Sequence, residues 1–298
     1  EAAWMEVFDK YKLSPEFQKV NNHMDLEGFK SIFWFEFLHR LWGRVIGLAF
    51  FLPFMVFLIR GWVSRNMVPK MILMFILGGL QGVMGWYMVK SGLIDRPDVS
   101  QYRLTAHFSL ALIIIGYIEW FALGLLFPRN QKAPGANPLS EFALFIWFWA
   151  FVTALSGGFV AGLDAGFAYN TFPLMDGEVF PPDLFPLSPF YLNLFEDITS
   201  VQFSHRLLAE ILFLLITVFW FKARKRDLTP RGKLAVNGLA VAVLIQVTLG
   251  ISTLLLVVPV PLAAAHQAGA VVVFMTALWT AHELGANSHF SIGKDVTL

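Results

Sequence analysis

The chain has 298 residues, of which 57% are hydrophobic and 14% charged, with a net charge of +1 and a mean hydropathy of +0.62. So apolar a composition leaves too little polar surface to cover a soluble domain, and so balanced a charge points away from a nucleic-acid partner. The absence of cysteine excludes disulfides, thiolate metal sites and thiol redox chemistry.

Residues 1–34 mix polar and aromatic side chains, with Trp4, Phe8 and Tyr11 at helical spacing. They are too charged to span, and are expected to form a partly helical exterior segment, either an interfacial stretch with aromatic anchors or a lid over a site near the outer face. A bilayer crossing needs about 20 mostly apolar residues, and seven stretches qualify: Leu41–Ile59, Met71–Val89, Tyr102–Phe127, Phe142–Leu163, Val201–Phe221, Leu234–Val257 and Leu262–Leu284. These are predicted spans A to G. The A–B loop carries Arg60, Arg65 and Lys70, and the C–D loop carries Arg129 and Lys132. The E–F loop carries Lys222, Arg224, Lys225, Arg226, Arg231 and Lys233 against Asp227. The positive-inside rule puts those three loops on the cytoplasmic or matrix side. The acidic stretch Asp164–Ser200, rich in Pro and aromatics, then lies outside with residues 1–34, as a cover over outer sites or as a plain linker.

Span A opens on Phe35-Glu36-Phe37-Leu38-His39-Arg40-Leu41, and span E opens on Val201-Gln202-Phe203-Ser204-His205-Arg206-Leu207. Span B contains Gln81-Gly82-Val83-Met84-Gly85 and span F contains Gln246-Val247-Thr248-Leu249-Gly250, while His107 in C answers to His266 in G. A, B and C therefore match E, F and G as an internal repeat with a period of roughly 165 residues. Span D, ending Gly157-Gly158 through Leu163, has no earlier counterpart, so one further span is expected ahead of Glu1 and a trimmed product is inferred. The expected fold is an all-α polytopic membrane protein of two pseudo-symmetric helix bundles with seven spans, three plus four. Its parts are an exterior segment and N-terminal half bundle (1–127), an inside loop (128–140), a C-terminal four-helix bundle (141–285) including the exterior loop 164–200, and a tail (286–298).

Histidines inside spans are costly and mark function. His39, His107, His205 and His266 all fall near the outer ends of their spans, forming one layer with two per half. Second and fourth helices of an up-down bundle are diagonal, so His39 can face His107 and His205 can face His266, as a six-coordinate haem iron requires. Interhelical hydrogen bonding is the alternative for any single one. Zinc or copper normally needs three or four ligands, and each half offers two, with Gln81 and Met84 as poor supplements. Small residues beside the histidines, Ala106 and Ser109 in C and Ala263, Ala264, Ala265 and Gly269 in G, would admit a flat macrocycle or simply close helix packing. Arg40 and Arg206 could pair with haem propionates or snorkel to headgroups. Glu36, about 60° around the helix from His39, could take up a proton or stabilise positive charge, or could be a first-turn acid favoured by the dipole. Its repeat counterpart Gln202 cannot titrate, so the N-terminal half is expected to hold the chemistry. His23, His282 and His289 lie outside the pattern and are expected to be solvated or interfacial.

With Glu36-x-x-His39-Arg40, Gln81-Gly82-x-x-Gly85-Trp86-Tyr87-Met88-Val89-Lys90-Ser91-Gly92-Leu93, Ser100-Gln101-Tyr102-Arg103-Leu104-x-Ala106-His107, Ala161-Gly162-Leu163-Asp164-Ala165-Gly166 and Pro261-Leu262-Ala263-Ala264-x-His266-Gln267, the chain resembles the heme A synthase family, nearest its mitochondrial and proteobacterial branch. The resemblance implies eight spans in two bundles and oxidation of the haem O methyl group to the formyl group of haem A. It implies that His39 and His107 flank the substrate, that Glu36 assists the oxidation, and that His205 and His266 ligate a haem b cofactor. The expected setting is a bacterial plasma membrane or mitochondrial inner membrane, with the histidine layer near the periplasmic or intermembrane-space face. A haem O synthase and oxidase assembly proteins are the expected partners. A two-haem quinol-linked cytochrome b and a non-enzymatic haem carrier or oxidase assembly factor are the competing readings. The family's first span and the loop cysteine pair of some bacterial members are not seen here.

Overall fold

The computed structural model describes residues 1–92, 99–127 and 138–285, with the side chains of 91 and 92 excluded. Arg129, Lys132, His289 and the tail 286–298 lie outside the described residues, as does 93–98 of the B–C loop. The described residues are helical apart from turns and one isolated bridge between Met175 and Glu178. The chain forms two compact units, Glu1–Ile114 and Ile115–Leu298, whose boundary falls inside one helix.

The first unit begins with α1 (Ala2–Lys12) and α2 (Pro15–Lys19). Ser14 caps α2 by accepting from the Phe17 amide at 3.2 Å, with Pro15 at the first helical position where its missing N–H costs nothing. Next, α3 (Leu26–Ile59) starts where Asp25 accepts from the Gly28 amide at 2.8 Å. At 34 residues it is about 51 Å long, longer than a hydrocarbon core of about 30 Å. Its first turns carry Phe29, Phe33 and Trp34, and Trp4 packs on all three rings, while Phe8 and Tyr11 close on Phe29 and Phe17. Residues 1–19 thus form a small aromatic core folded onto α3, with Phe8 and Phe29 buried. After a turn at Gly61, where φ is +68° and a side chain would be strained, α4 (Val68–Gly92) packs back against α3. The following helix, α5 (Gln101–Leu126), contains the unit boundary.

The second unit holds α6 (Pro138–Gly162), the exterior loop with short 3-10 turns at Ala165–Phe167 and Phe190–Leu192, α7 (Asn193–Glu196), α8 (Ile198–Ala223), α9 (Pro230–Leu255) and α10 (Val260–Gly285). Asp197 caps α8 through the Ser200 amide and Thr229 caps α9 through the Gly232 amide. Ala143, Ile146 and Ala150 of α6, Leu212, Ile216 and Phe219 of α8, Val236, Leu239 and Val243 of α9, and Val273, Ala277 and Ala281 of α10 form one core. Alanines alternating with branched residues let the four helices approach closely, the packing a membrane bundle depends on. Ser140 donates to the Ala281 carbonyl and Thr280 to the Ala235 carbonyl, pinning α6 and α9 to α10. Arg231 of α9 makes a forked bond to the buried carboxylate of Glu283 on α10, at 2.8 Å for the shorter N–O pair.

Six of the seven predicted spans lie in helices long and apolar enough to cross a membrane. The remaining one, predicted at Val201–Phe221, is the 26-residue α8, which carries Arg206, Glu210 and Lys222 and is not among the six. It is nevertheless a full member of the four-helix core.

Candidate functional site

In the second unit, His205 of α8 and His266 of α10 face one another with ring centroids 6.4 Å apart and ring planes at 87°. The Ser156 hydroxyl of α6 lies 2.8 Å from His205 Nδ1 and 2.7 Å from the Thr153 carbonyl. A hydroxyl has one hydrogen, and the carbonyl can only accept, so Ser156 donates to Thr153 and accepts from Nδ1–H. That assignment leaves the lone pair of His205 on Nε2, the form in which an imidazole binds a metal. Gly157 lies against the same ring, and a Cβ there would sit 3.1 Å from Cε1.

His266 is held differently. Gln246 of α9 donates to the His266 backbone carbonyl at 3.0 Å, and Gly250, one turn further along α9, faces the ring so closely that a Cβ would sit 2.8 Å from Cε1. Gly269, one turn past His266, gives way to the Gln246 amide, because a Cβ there would run into Oε1. His266 Nδ1 and Gln246 Oε1 are buried and without hydrogen-bond partners.

Two imidazoles on opposite sides of one metal, each bonded at ~2.0 Å with ring centres ~1.1 Å beyond the ligating nitrogens, would have centroids ~6.3 Å apart. The observed spacing meets that requirement, two nitrogen donors are the set a six-coordinate haem uses, and the glycines supply room against each ring. The residues present fit a haem.

The loop between α6 and α8 is bonded to this end of the bundle. Gln202 donates to the Tyr169 carbonyl at 3.0 Å, and Arg206 donates to the Tyr169 and Thr171 carbonyls at 2.7 and 2.8 Å. Asn170 donates to the Gly166 and Leu254 carbonyls, and Phe203 packs against Phe180 and Phe185. The stretch Asp164–Ser200 is therefore fastened to α8 and α9 by hydrogen bonds. Two of the Arg206 nitrogens are committed to it, while Nε is buried without a partner.

The first unit repeats half of this arrangement. Gln81 of α4 donates to the His107 carbonyl at 3.1 Å and approaches His107 Nε2 at 3.4 Å, and Gly85 faces the ring, where a Cβ would sit 3.1 Å from Cε1. His107 Nδ1 and Gln81 Oε1 are again buried and unpartnered. His39 is exposed on α3 and is an electrostatic neighbour of His107. Glu36 pairs with Arg40 one turn on, at 3.1 Å, with both side chains more than half exposed. Burial chiefly, and then the charge of Glu36, holds the Glu16 carboxyl above its ordinary value, partly offset by a bond with Tyr11. Tyr11 is raised as well, first by burial.

One expectation is corrected. His282 is 1% exposed, not solvated or interfacial, and its ring meets that of Trp120 edge-on. The reason is that α10 runs to Gly285, so its last turns still belong to the packed core, where Glu283 is also buried. Glu119, with Oε2 buried and unpartnered, was visible in the sequence as a lone acid within an apolar run. Ser156 and Gly157 carried no signal, because nothing in the sequence says which face of α6 they occupy.

The family model described as a cytochrome oxidase assembly protein, COX15-CtaA, matches residues 1–278. The chain is 55% identical over 283 residues to the heme A synthase of Nitrosospira multiformis, covering 94% of this chain and 80% of that one. It is 48% identical over 286 residues to the heme A synthase of Paramagnetospirillum magneticum, covering 95% and 80%. Against heme A synthase COX15 of Bos taurus the identity is 44% over 289 residues, covering 94% and 70%.

Proposed function

The chain belongs to the COX15-CtaA family of cytochrome oxidase assembly proteins, and on that premise we propose which half of the molecule carries out the oxidation and which half serves it. It is an integral membrane oxidoreductase that converts haem O to haem A for terminal oxidases. The reaction turns a methyl group into a formyl group: with water supplying the oxygen, two successive hydroxylations at the methyl carbon give a gem-diol that loses one water to the aldehyde, and four protons and four electrons are released, the electrons passing to an external electron acceptor.

Substrate haem O is held in the N-terminal half between His39 and His107. Glu36 takes up a proton or stabilises positive charge near the reacting methyl carbon, with Arg40 steadying its carboxylate. The observation that carries this division is the contrast between repeat-equivalent side chains. Gln202 is tied to the loop through Tyr169 and cannot titrate, whereas Glu36 is ionisable and its side chain is more than half exposed.

In the C-terminal half, His205 and His266 hold a haem b, in keeping with their spacing and ring angle. When bound, that group supplies one-electron transfer, the means by which electrons leave the substrate half. Ser156 keeps the His205 proton on Nδ1, and Arg206 and Gln202 fasten the loop Asp164–Ser200 as a cover that excludes water from this end. The basic E–F and A–B loops favour an orientation with the histidine layer near the periplasmic or intermembrane-space face. A haem O synthase supplies the substrate and oxidase assembly proteins take the product.

Haem extraction from purified protein tests the assignment. Wild type yields haem A and haem O beside haem b, and Glu36→Gln yields haem O and haem b alone. Wild-type haem A output from Glu36→Gln would overturn it.

A further inference from the structure

Gln81 and Gln246 occur in the repeat as parts of two matching pentapeptides, and the oxidation as described gives them no task. Their surroundings agree in four respects. Each amide nitrogen donates to the backbone carbonyl of a histidine on the next helix, His107 at 3.1 Å and His266 at 3.0 Å. A glycine four residues on, Gly85 or Gly250, faces the same histidine ring. Each amide oxygen is buried without a partner, and so is Nδ1 of each histidine.

We propose that Gln81 and Gln246 are positioning residues for His107 and His266, holding the turn that carries each histidine and accepting Nδ1–H through Oε1 when Nε2 is bonded to haem iron. The carbonyl bond decides the orientation of the amide, because only the NH2 end can donate to a carbonyl. Oε1 is then the free acceptor on a side chain already in contact with the histidine residue. An imidazole that gives Nε2 to a metal carries its proton on Nδ1, and that N–H needs an acceptor to fix the ring and raise its basicity. Ser156 meets this need for His205. For His107 and His266 the orphaned amide oxygen is the complementary group, and burial makes leaving either atom unpaired costly. Gly269 supports the assignment, since it clears the space the Gln246 oxygen occupies. The two halves are not identical: Gln81 also approaches His107 Nε2 at 3.4 Å, the nitrogen that would bond the haem iron, and among the described residues no glycine stands against its amide oxygen as Gly269 does for Gln246.

The inference rests on the reading of His205 and His266 as haem ligands, so His266→Ala is measured alongside. The full chain is purified as wild type, Gln246→Met, which keeps the length but removes donor and acceptor, and Gln246→Glu, which keeps an oxygen acceptor. Haem b content, low-spin electron paramagnetic resonance and midpoint potential are recorded for each. The Met variant is expected to hold haem b about 10- to 100-fold more weakly with shifted g values. The Glu variant is expected to retain haem b at a potential below wild type, because an anionic acceptor makes the imidazole more electron-rich. Wild-type g values and potential in both variants overturn the proposal, and so does a Glu variant matching the Met variant. If the Met variant does not fold, a wild-type potential in the Glu variant is sufficient to overturn it. Should His266→Ala keep the low-spin signal, the ligand reading itself fails; should it lose the signal while the Gln246 variants are unchanged, only the positioning role fails.

Discussion

Arg206 donates to the backbone carbonyl of Tyr169 at 2.7 Å, and Gln202, one turn earlier on α8, reaches the same carbonyl at 3.0 Å. The loop Asp164–Ser200 is therefore fastened from the helix that carries His205. Removing the guanidinium in Arg206→Leu takes away two charged hydrogen bonds, and about 2 kcal/mol of local stability is expected to go with them. Amide exchange in 164–176 should then accelerate about 30-fold, with the helices of the bundle unchanged. Unaltered exchange in that segment would show that the loop is fastened elsewhere.

Gly250→Ala and Gly157→Ala would each place a methyl group where an imidazole now sits, 2.8 Å and 3.1 Å from Cε1. Overpacking of this kind costs about 1–3 kcal/mol, and here it falls on the ring that must be aligned. Haem b content is expected to drop in both, more in Gly250→Ala, as read from the optical spectrum of purified protein. Gly238→Ala is the matched control in α9, since its Cβ would meet only Trp279 at an ordinary 3.9 Å. It should bind haem normally and gain up to about 1 kcal/mol from helix propensity.

The exterior helices should undock as pH rises. Glu16 sits above its ordinary value of 4.5, first through burial and then through the charge of Glu36, so the docked form binds its proton more tightly than the undocked one. The stabilisation is complete below that ordinary value and is lost as pH climbs through the raised one. Trp4 fluorescence, sensitive to its packing on Phe29, Phe33 and Trp34, follows the transition. Glu36→Gln removes one source of repulsion and should move the midpoint to lower pH; an unmoved midpoint would separate the two carboxylates.

Arg231→Ala leaves the carboxylate of Glu283 buried without its forked partner and also strips the guanidinium from the Phe127 ring, 3.4 Å away. A loss of roughly 2–3 kcal/mol is expected, seen as a lower melting temperature in detergent. Adding Glu283→Gln should recover part of it, because a neutral amide is cheaper to leave unpaired. Arg231→Lys should fall between, keeping the charge without the fork.

Hydropathy and the repeat made most of the architecture legible, since helix length, loop charge and paired motifs all act along the chain. They located the long apolar helices. Helix ends were less legible. The hydropathy rule starts the first span at Leu41, where apolar residues become continuous, whereas the Asp25 cap starts α3 at Leu26. Contacts between distant segments were not legible at all. The Ser156 bond to His205, the Arg206 bonds to the loop and the burial of His282 depend on which helix face meets which neighbour, and local sequence does not encode that.

A glutamine, a glycine four residues later and a histidine on the next helix occur together in α4–α5 and again in α9–α10. On the assignment proposed above, one side of a planar cofactor's seat would travel on a pair of successive helices. Such a pair would be a portable half-receptor, open to duplication or to grafting into a designed membrane bundle opposite a helix bearing one histidine.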